Sequence, residues 1–218
     1  MPTVLIEKTK TGTLQFEFAD KWKVYKYDEQ CKGSFYEKKL KNKGLKAVDF
    51  IAMSDKTVLL IEVKNITAND NACRMRLARK ADDEILEKVI EEIQASKTLS
   101  HLEKTRTMCI PKRPYLAEEV VKKAKDTMLG LLAAYYQNDT KLLPYYQAIF
   151  TDKKPVVLIL FLERTEILNQ TEFFKPLASN LKLAIKQKTG FLCANVDVVN
   201  SLTLATPLGI KVSKCAIN

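Results

Sequence analysis

The stretch that decides the fold runs from Leu45 to Lys64: Leu45-Lys-Ala-Val-Asp49-Phe-Ile-Ala-Met53, then Ser54-Asp55-Lys56, then Thr57-Val-Leu-Leu-Ile-Glu62-Val-Lys64. Both outer runs are rich in Val, Ile, Leu and Phe, which suit a pleated surface, and the polar triplet between them has the composition of a hairpin turn. In each run apolar residues occupy odd and even positions alike. A strand buried on one face alternates, so these strands are expected to be covered on both faces, as in the middle of an α/β sheet.

Asp49 and Glu62 interrupt the runs, and Lys64 follows Glu62 by two positions. Burying a charge without a partner is costly, so the three belong to a network, an ion site or a wet cleft. Residues i and i+2 of a strand share a face, which sets Glu62 beside Lys64. Hairpin register decides Asp49. If Met53 pairs with Lys56 or with Val58, Asp49 lies on the Glu62 face, diagonal in the first case and directly opposite in the second; a three-residue loop sends it to the other face. Two carboxylates from neighbouring strands offer hard oxygen ligands to Mg2+, which leaves room for water and a phosphate. A nearby amine can hold or deprotonate a water, or stabilise charge developing on a phosphoryl group.

Upstream, Thr3 to Ile6, Thr13 to Phe18 and Lys23 to Tyr27 read as strands, and Asp28 to Leu40 is a weak helical pattern interrupted by Gly33. Downstream, Asn65 to Lys80 is polar and carries Arg74, Arg76, Arg79 and Lys80. These either flank the cleft and grip phosphates or form a solvated loop. A helix is expected from Asp82 or Asp83 to about Leu99, with an acidic first turn. A stronger one starts at Pro114 and buries Ala117, Val120, Val121, Ala124, Met128, Leu131, Leu132 and Tyr135. Lys112, Arg113, Lys122, Lys123 and Lys125 are assigned to outer faces. Val156 to Glu163 reads as a buried strand, Thr171 to Lys188 as a helix and Phe191 to Asn200 as a strand. Trp22, Tyr25, Tyr27, Tyr135-Tyr136 and Tyr145-Tyr146 read as packing. The expected fold class is α/β: one domain over residues 1–218, a central mixed sheet flanked by helices on both faces.

Composition bounds the rest. With 218 residues, 46% hydrophobic and 28% charged, the chain is long and apolar enough to hold a core, which excludes disorder. Its five cysteines are an odd number without C-x-x-C, so neither a disulfide framework nor a zinc knuckle is encoded. A reducing, cytoplasmic setting is expected, with no membrane partner, because the longest apolar run, Val156 to Leu162, is too short to span a bilayer. The net charge of +10 favours polyanionic partners. Division at residues 50 and 113 gives +4, +2 and +4, so there is no detachable basic tail. His101 stands alone, and neither G-x-x-x-x-G-K-[ST] nor G-x-G-x-x-G occurs, which argues against histidine-dependent hydrolases, nucleotide motors and dinucleotide enzymes.

The string Asp49-x12-Glu62-Val63-Lys64 resembles the PD-(D/E)xK nuclease superfamily. The resemblance implies a restriction-endonuclease-like fold with an αβββαβ core and hydrolysis of DNA phosphodiesters. It makes Asp49 and Glu62 the ligands of Mg2+, with Mn2+ able to substitute, and Lys64 the catalytic lysine. Val48 stands where the motif has proline. A further acid from a first helix is assigned to Glu29, with Asp28 and Glu37 as alternatives. No core strand is evident between Asp28–Leu40 and Asp49, so a strand within Thr13–Tyr27 is expected to fill that place. An acid-x-Lys triplet also occurs at Glu37/Lys39, Asp139/Lys141 and Asp152/Lys154, but only Glu62/Lys64 closes a buried strand. DNA is the expected partner, and cutting both strands is compatible with a homodimer. The alternatives are a non-cleaving nucleic-acid-binding or assembly module on the same fold, and an interaction protein without a nucleic-acid role.

Overall fold

The computed structural model describes residues 2–9, 12–28, 34–66, 76–77 and 115–215. Its strands are β1 (Thr3–Thr9), β2 (Gly12–Phe18), β3 (Lys23–Lys26), β4 (Phe50–Met53), β5 (Val58–Asn65), β6 (Val156–Glu163), β7 (Asn195–Val199) and β8 (Ile210–Cys215), and its long helices are α1 (Leu116–Tyr136) and α2 (Thr171–Thr189). The strands form two sheets. The main one has the order β3-β4-β5-β6-β7, antiparallel through β5 and parallel from β5 to β7; the other is an antiparallel triplet, β1-β2-β8. The strand expected upstream of Asp49 is therefore β3.

The absence of alternation in β4 and β5 reflects burial on both faces. Ile51, Val58, Leu60, Leu158, Leu160 and Val196 join the core formed with α1 and α2, through Leu116, Val120, Ala124, Phe174, Leu181 and Ile185. Phe50, Ala52, Leu59, Ile61, Ile159 and Phe161 face the other way, onto Leu14, Phe16 and Phe18 of β2. Phe16 packs edge-on to Phe50 and Phe161 with ring centroids 5.2 and 5.1 Å apart. Each such side chain, fully buried, stabilises the sandwich by about 1.5–3 kcal/mol.

One expectation is corrected here. Among the described residues, helices cover only one face of the main sheet, and the three-stranded sheet covers the other. Unalternated strands say that a cover exists but not what it is made of. Leu14, Phe16 and Phe18 provide it, because their period of two gives an antiparallel sheet one apolar face. The two parallel steps, β5 to β6 to β7, proceed in one direction, and α1 and α2, which stand in the two connections, pack in one core on the same side, as the right-handed rule for such crossovers leads one to expect.

The run Leu45–Met53 is a strand only at its end. Upstream of it the backbone donors go to α1: the Lys46 N–H to Asp126 Oδ2 at 2.8 Å and the Val48 N–H to Thr127 Oγ1 at 3.0 Å. The Asp28–Leu40 pattern yields helical turns at Tyr36–Leu40 and Lys41–Lys43, ended by Gly44 at φ 76°. The helix expected from Asp82 to Leu99 lies outside the described residues. Among those described, no helix is long and apolar enough to cross a membrane.

Candidate active site

The site grows from the hairpin register. Met53 lies opposite Val58 and Phe50 opposite Ile61; the Asp49 N–H then donates to the Ile61 carbonyl at 3.1 Å, so Asp49 stands just past the paired residues, where Lys123 reaches both it and Glu62. Of the registers open to the sequence, this is the one realised. Ser54 fixes it, its Oγ accepting the Lys56 and Thr57 N–H groups, each at 3.3 Å. Asp49 Oδ2 accepts the Val63 N–H at 2.5 Å, which clamps the carboxylate to the end of the pair.

Glu62 is fully buried. Its Oε1 lies 2.6 Å from Lys64 Nζ and 2.7 Å from Lys123 Nζ, and its Oε2 accepts a bond from Lys123 at 2.9 Å. Burial, reinforced by the Asp49 charge, pushes its pKa up to about 7 against the pull of both lysines. Lys64 Nζ also lies 3.0 Å from Glu119 Oε1, and Arg76 pairs with the other Glu119 oxygen. Burial opposes the charge of Lys64 and Lys123, but the Glu62 carboxylate outweighs it and holds both ammonium groups above the ordinary lysine range. Burial likewise opposes the Glu119 charge, and Lys64 overcomes it, so that carboxyl titrates below its usual range. Lys123 reaches on to Asp49, with Nζ 3.6 Å from Oδ1.

On the other side of Asp49 lie two more acids. Carboxylate oxygens of Glu7, Asp28 and Asp49 all fall within 4.8 Å of one another. Glu7 comes from β1, and its Oε2 lies 3.1 Å from Lys26 Nζ. Asp28 arrives because the Tyr27 N–H, just past β3, donates to the Asp49 carbonyl at 2.9 Å. Gly130 of α1 makes room for this turn: a Cβ there would sit 2.3 Å from Tyr27 Oη and 2.6 Å from Leu40 Cδ1. Burial first, then the charges of Asp49 and Glu7, raise the Asp28 pKa to about 8; burial and then Asp49 raise that of Glu7. Asp28 Oδ1 is buried without a hydrogen-bond partner. Three converging acids, one with an orphaned oxygen, form an all-oxygen donor set that fits a hard divalent cation.

A model of the family of unknown function DUF6661 matches residues 33–213 of the chain. The chain belongs to that family. The DUF6661 match contains Asp49, Glu62, Lys64, Glu119 and Lys123, and begins downstream of Glu7 and Asp28. No curated protein and no solved structure matches the chain.

In this DUF6661 protein the three residues of the sequence pattern do meet, yet the oxygens that converge are those of Asp49 with Asp28 and Glu7, while Glu62 is turned to lysines. Arg76 reaches the site through Glu119. Arg74, Arg79, Lys80 and Glu29 lie outside the described residues. Asp28, an alternative for the extra acid, is in the cluster; Glu37, the other, pairs with Lys41 at 3.0 Å. Lys123 is corrected from an outer helix face to the site itself. Its signal was present: Leu116, Val120, Lys123, Thr127, Gly130 and Ala134 repeat at spacings of four and three, so Lys123 occupies the inward seam of α1. Glu7 carries a weaker signal. It shares the inward face of β1 with Leu5, but Val4 and Ile6 on the outward face are equally apolar.

Proposed function

We propose that this DUF6661 protein is a metal-dependent deoxyribonuclease of restriction-endonuclease-like fold, acting in the cytoplasm. The observation that carries the reading is the meeting of Asp49 and Glu62 at Lys123, with Lys64 on Glu62, beside three converging acids. The succession of antiparallel β3, β4 and β5, then α1, then β6 parallel to β5 agrees with the βββαβ part of that fold. Its first helical turns stand between β3 and β4 instead of ahead of β3.

Asp49, Asp28 and Glu7 would hold Mg2+ or Mn2+, with Glu62 linked to Asp49 through Lys123. A cation there supplies charge neutralisation and Lewis-acid polarisation at a phosphodiester. Lys64, raised above the ordinary lysine range, stays protonated, so its work is to orient a water or a phosphate oxygen and to stabilise charge. Glu62, with a pKa near 7, is the group suited to take the proton of the attacking water at neutral pH. Glu119 and Arg76 hold Lys64 from behind.

The test is purified protein with Mg2+ or Mn2+ on plasmid, linear, single-stranded and branched DNA. Cleavage is expected on at least one form and is lost on replacing Asp49 or Lys64. Substrates that all remain intact would refute the enzyme. A second reading, a non-cleaving nucleic-acid-binding module, draws on the neutralisation of Glu62 by two lysines. Salt-sensitive DNA affinity with no heat of metal binding would favour it.

A further inference from the structure

Residues 36–46, Tyr-Glu-Lys-Lys-Leu-Lys-Asn-Lys-Gly-Leu-Lys, carry five lysines and one glutamate. Their net +4 equals the whole surplus of the first fifty residues, so the rest of that segment is neutral. Lys41 is paired with Glu37, but Lys38, Lys39, Lys43 and Lys46 are exposed and make no ion pair among the described residues.

These lysines stand on a fixed platform. Phe35, Tyr36 and Leu40 are buried beneath them, and Tyr36 Oη donates to the Leu45 carbonyl at 3.1 Å. The Lys46 and Val48 N–H groups are tied to Asp126 and Thr127 of α1. Lys122 is exposed beside them and ion-pairs with Asp126 at 3.0 Å. Lys46 precedes Asp49 by three residues, at most about 10 Å of chain. Along a duplex one strand presents a phosphate about every 3.4 Å of axis, so Lys46, at the end of the platform, lies within a few phosphates of Asp49.

We infer that the lysine turn of residues 36–46, with Lys122 of α1, docks the phosphate backbone of duplex DNA and leads it to Asp49. The substrate class rests on the nuclease reading; the surface itself rests on charge complementarity. An anionic membrane is the poorer fit, because no large apolar side chain of residues 34–46 is exposed to insert among lipids.

The experiment measures binding of a fluorescently labelled duplex by anisotropy, in EDTA, over a range of salt. Replacing Lys38, Lys39, Lys43 and Lys46 together by Gln is expected to weaken binding at least about tenfold and to flatten the slope of log K against log salt by about three to four. A control removing the same charge elsewhere, at the exposed Lys141, Lys153, Lys175 and Lys186, keeps the parent slope to within about one. An unchanged slope in the turn variant, an equal loss in the control, or binding of the parent to phosphatidylserine vesicles but not to duplex would each overturn the inference. Expected binding without any cleavage in Mg2+ leaves the docking surface standing and sinks the nuclease reading. Cleavage with unaltered affinity in the turn variant does the reverse. Matching urea midpoints verify that both quadruple variants fold.

Discussion

Glu62 and Glu163 sit near the carboxyl ends of neighbouring parallel strands, both fully buried and both within ion-pair distance of a lysine. They face opposite sides of the sheet and opposite kinds of surroundings. Glu163 is met by directed donors: Asn169 Nδ2 at 2.8 Å, Ser201 Oγ at 3.1 Å and the Ser201 N–H at 3.2 Å, with Lys214 at 2.9 Å. Glu62 is met by two ammonium groups and shares one of them, Lys123, with the neighbouring acid Asp49. Fixed neutral donors give a carboxylate one geometry and make it a clamp, here tying the end of β6 to Asn169 and to Ser201 in the segment after β7. Ammonium groups on flexible stems can exchange partners, so a carboxylate they hold can still change its charge or its partners. On the proposed reading, the contrast separates a structural buried acid from a chemical one within a single sheet.

The sharpest way to break that contrast is to measure activity. Asp49→Asn and Lys64→Ala are expected to cut DNA cleavage on the order of 100-fold to 1000-fold while leaving duplex affinity in EDTA nearly unchanged. Glu163→Gln should retain cleavage. A Glu163 variant that folds but loses cleavage would place the chemistry on the wrong acid.

Stability gives the next largest effect, with the roles exchanged. Glu163→Ala strands the Asn169 and Ser201 donors and is expected to cost about 3 kcal/mol in urea denaturation. Glu62→Gln should cost less than about 1 kcal/mol, because Lys64 keeps Glu119, Lys123 keeps Asp49, and a buried charge is removed. Equal losses in the two variants would erase the distinction.

pH sharpens it further. Glu62 and Asp28 have folded pKa values raised by burial to about 7 and about 8, so the folded protein binds protons that the unfolded chain has released. Their stabilisation is complete below the ordinary carboxylate range and is lost as pH rises through those values. In EDTA the urea midpoint is therefore expected to fall from about pH 5 to about pH 9, less so in a variant carrying both Glu62→Gln and Asp28→Asn. Mg2+ competes with these protons, so its affinity by calorimetry should climb over the same window. A midpoint that rises with pH would contradict the assigned shifts. The smallest effect belongs to Lys182→Ala, which removes an exposed pair with Asp197 at 2.8 Å and should change the unfolding free energy by no more than about 0.5 kcal/mol.

Much of this was legible along the chain. The Val156–Glu163 strand and the helix from Thr171 stand where their patterns put them, because a dense apolar run and a 3.6-residue period are local signals. Asp49, Glu62 and Lys64 could be singled out because charge inside an aliphatic run is conspicuous. Lys123 was misread because lysines at 122, 123 and 125 look alike in text, although only one falls on the seam. Glu7 was missed because β1 presents apolar residues to solvent. The covering sheet was missed because β8 pairs with β2 across nearly the whole chain.

The sequence by itself determined the buried hairpin, its three charged residues and the amphipathic helix after it, since each follows from residue type and short-range spacing. The tertiary structure decided which registers and partners those charges received: Met53 opposite Val58, which brings Asp49 beside Glu62, Glu7 and Asp28 delivered from other segments, Lys123 lowered from α1. Such choices depend on how distant segments fill a shared volume, and a carboxylate's chemistry is set by whichever charges that packing brings within a few ångströms.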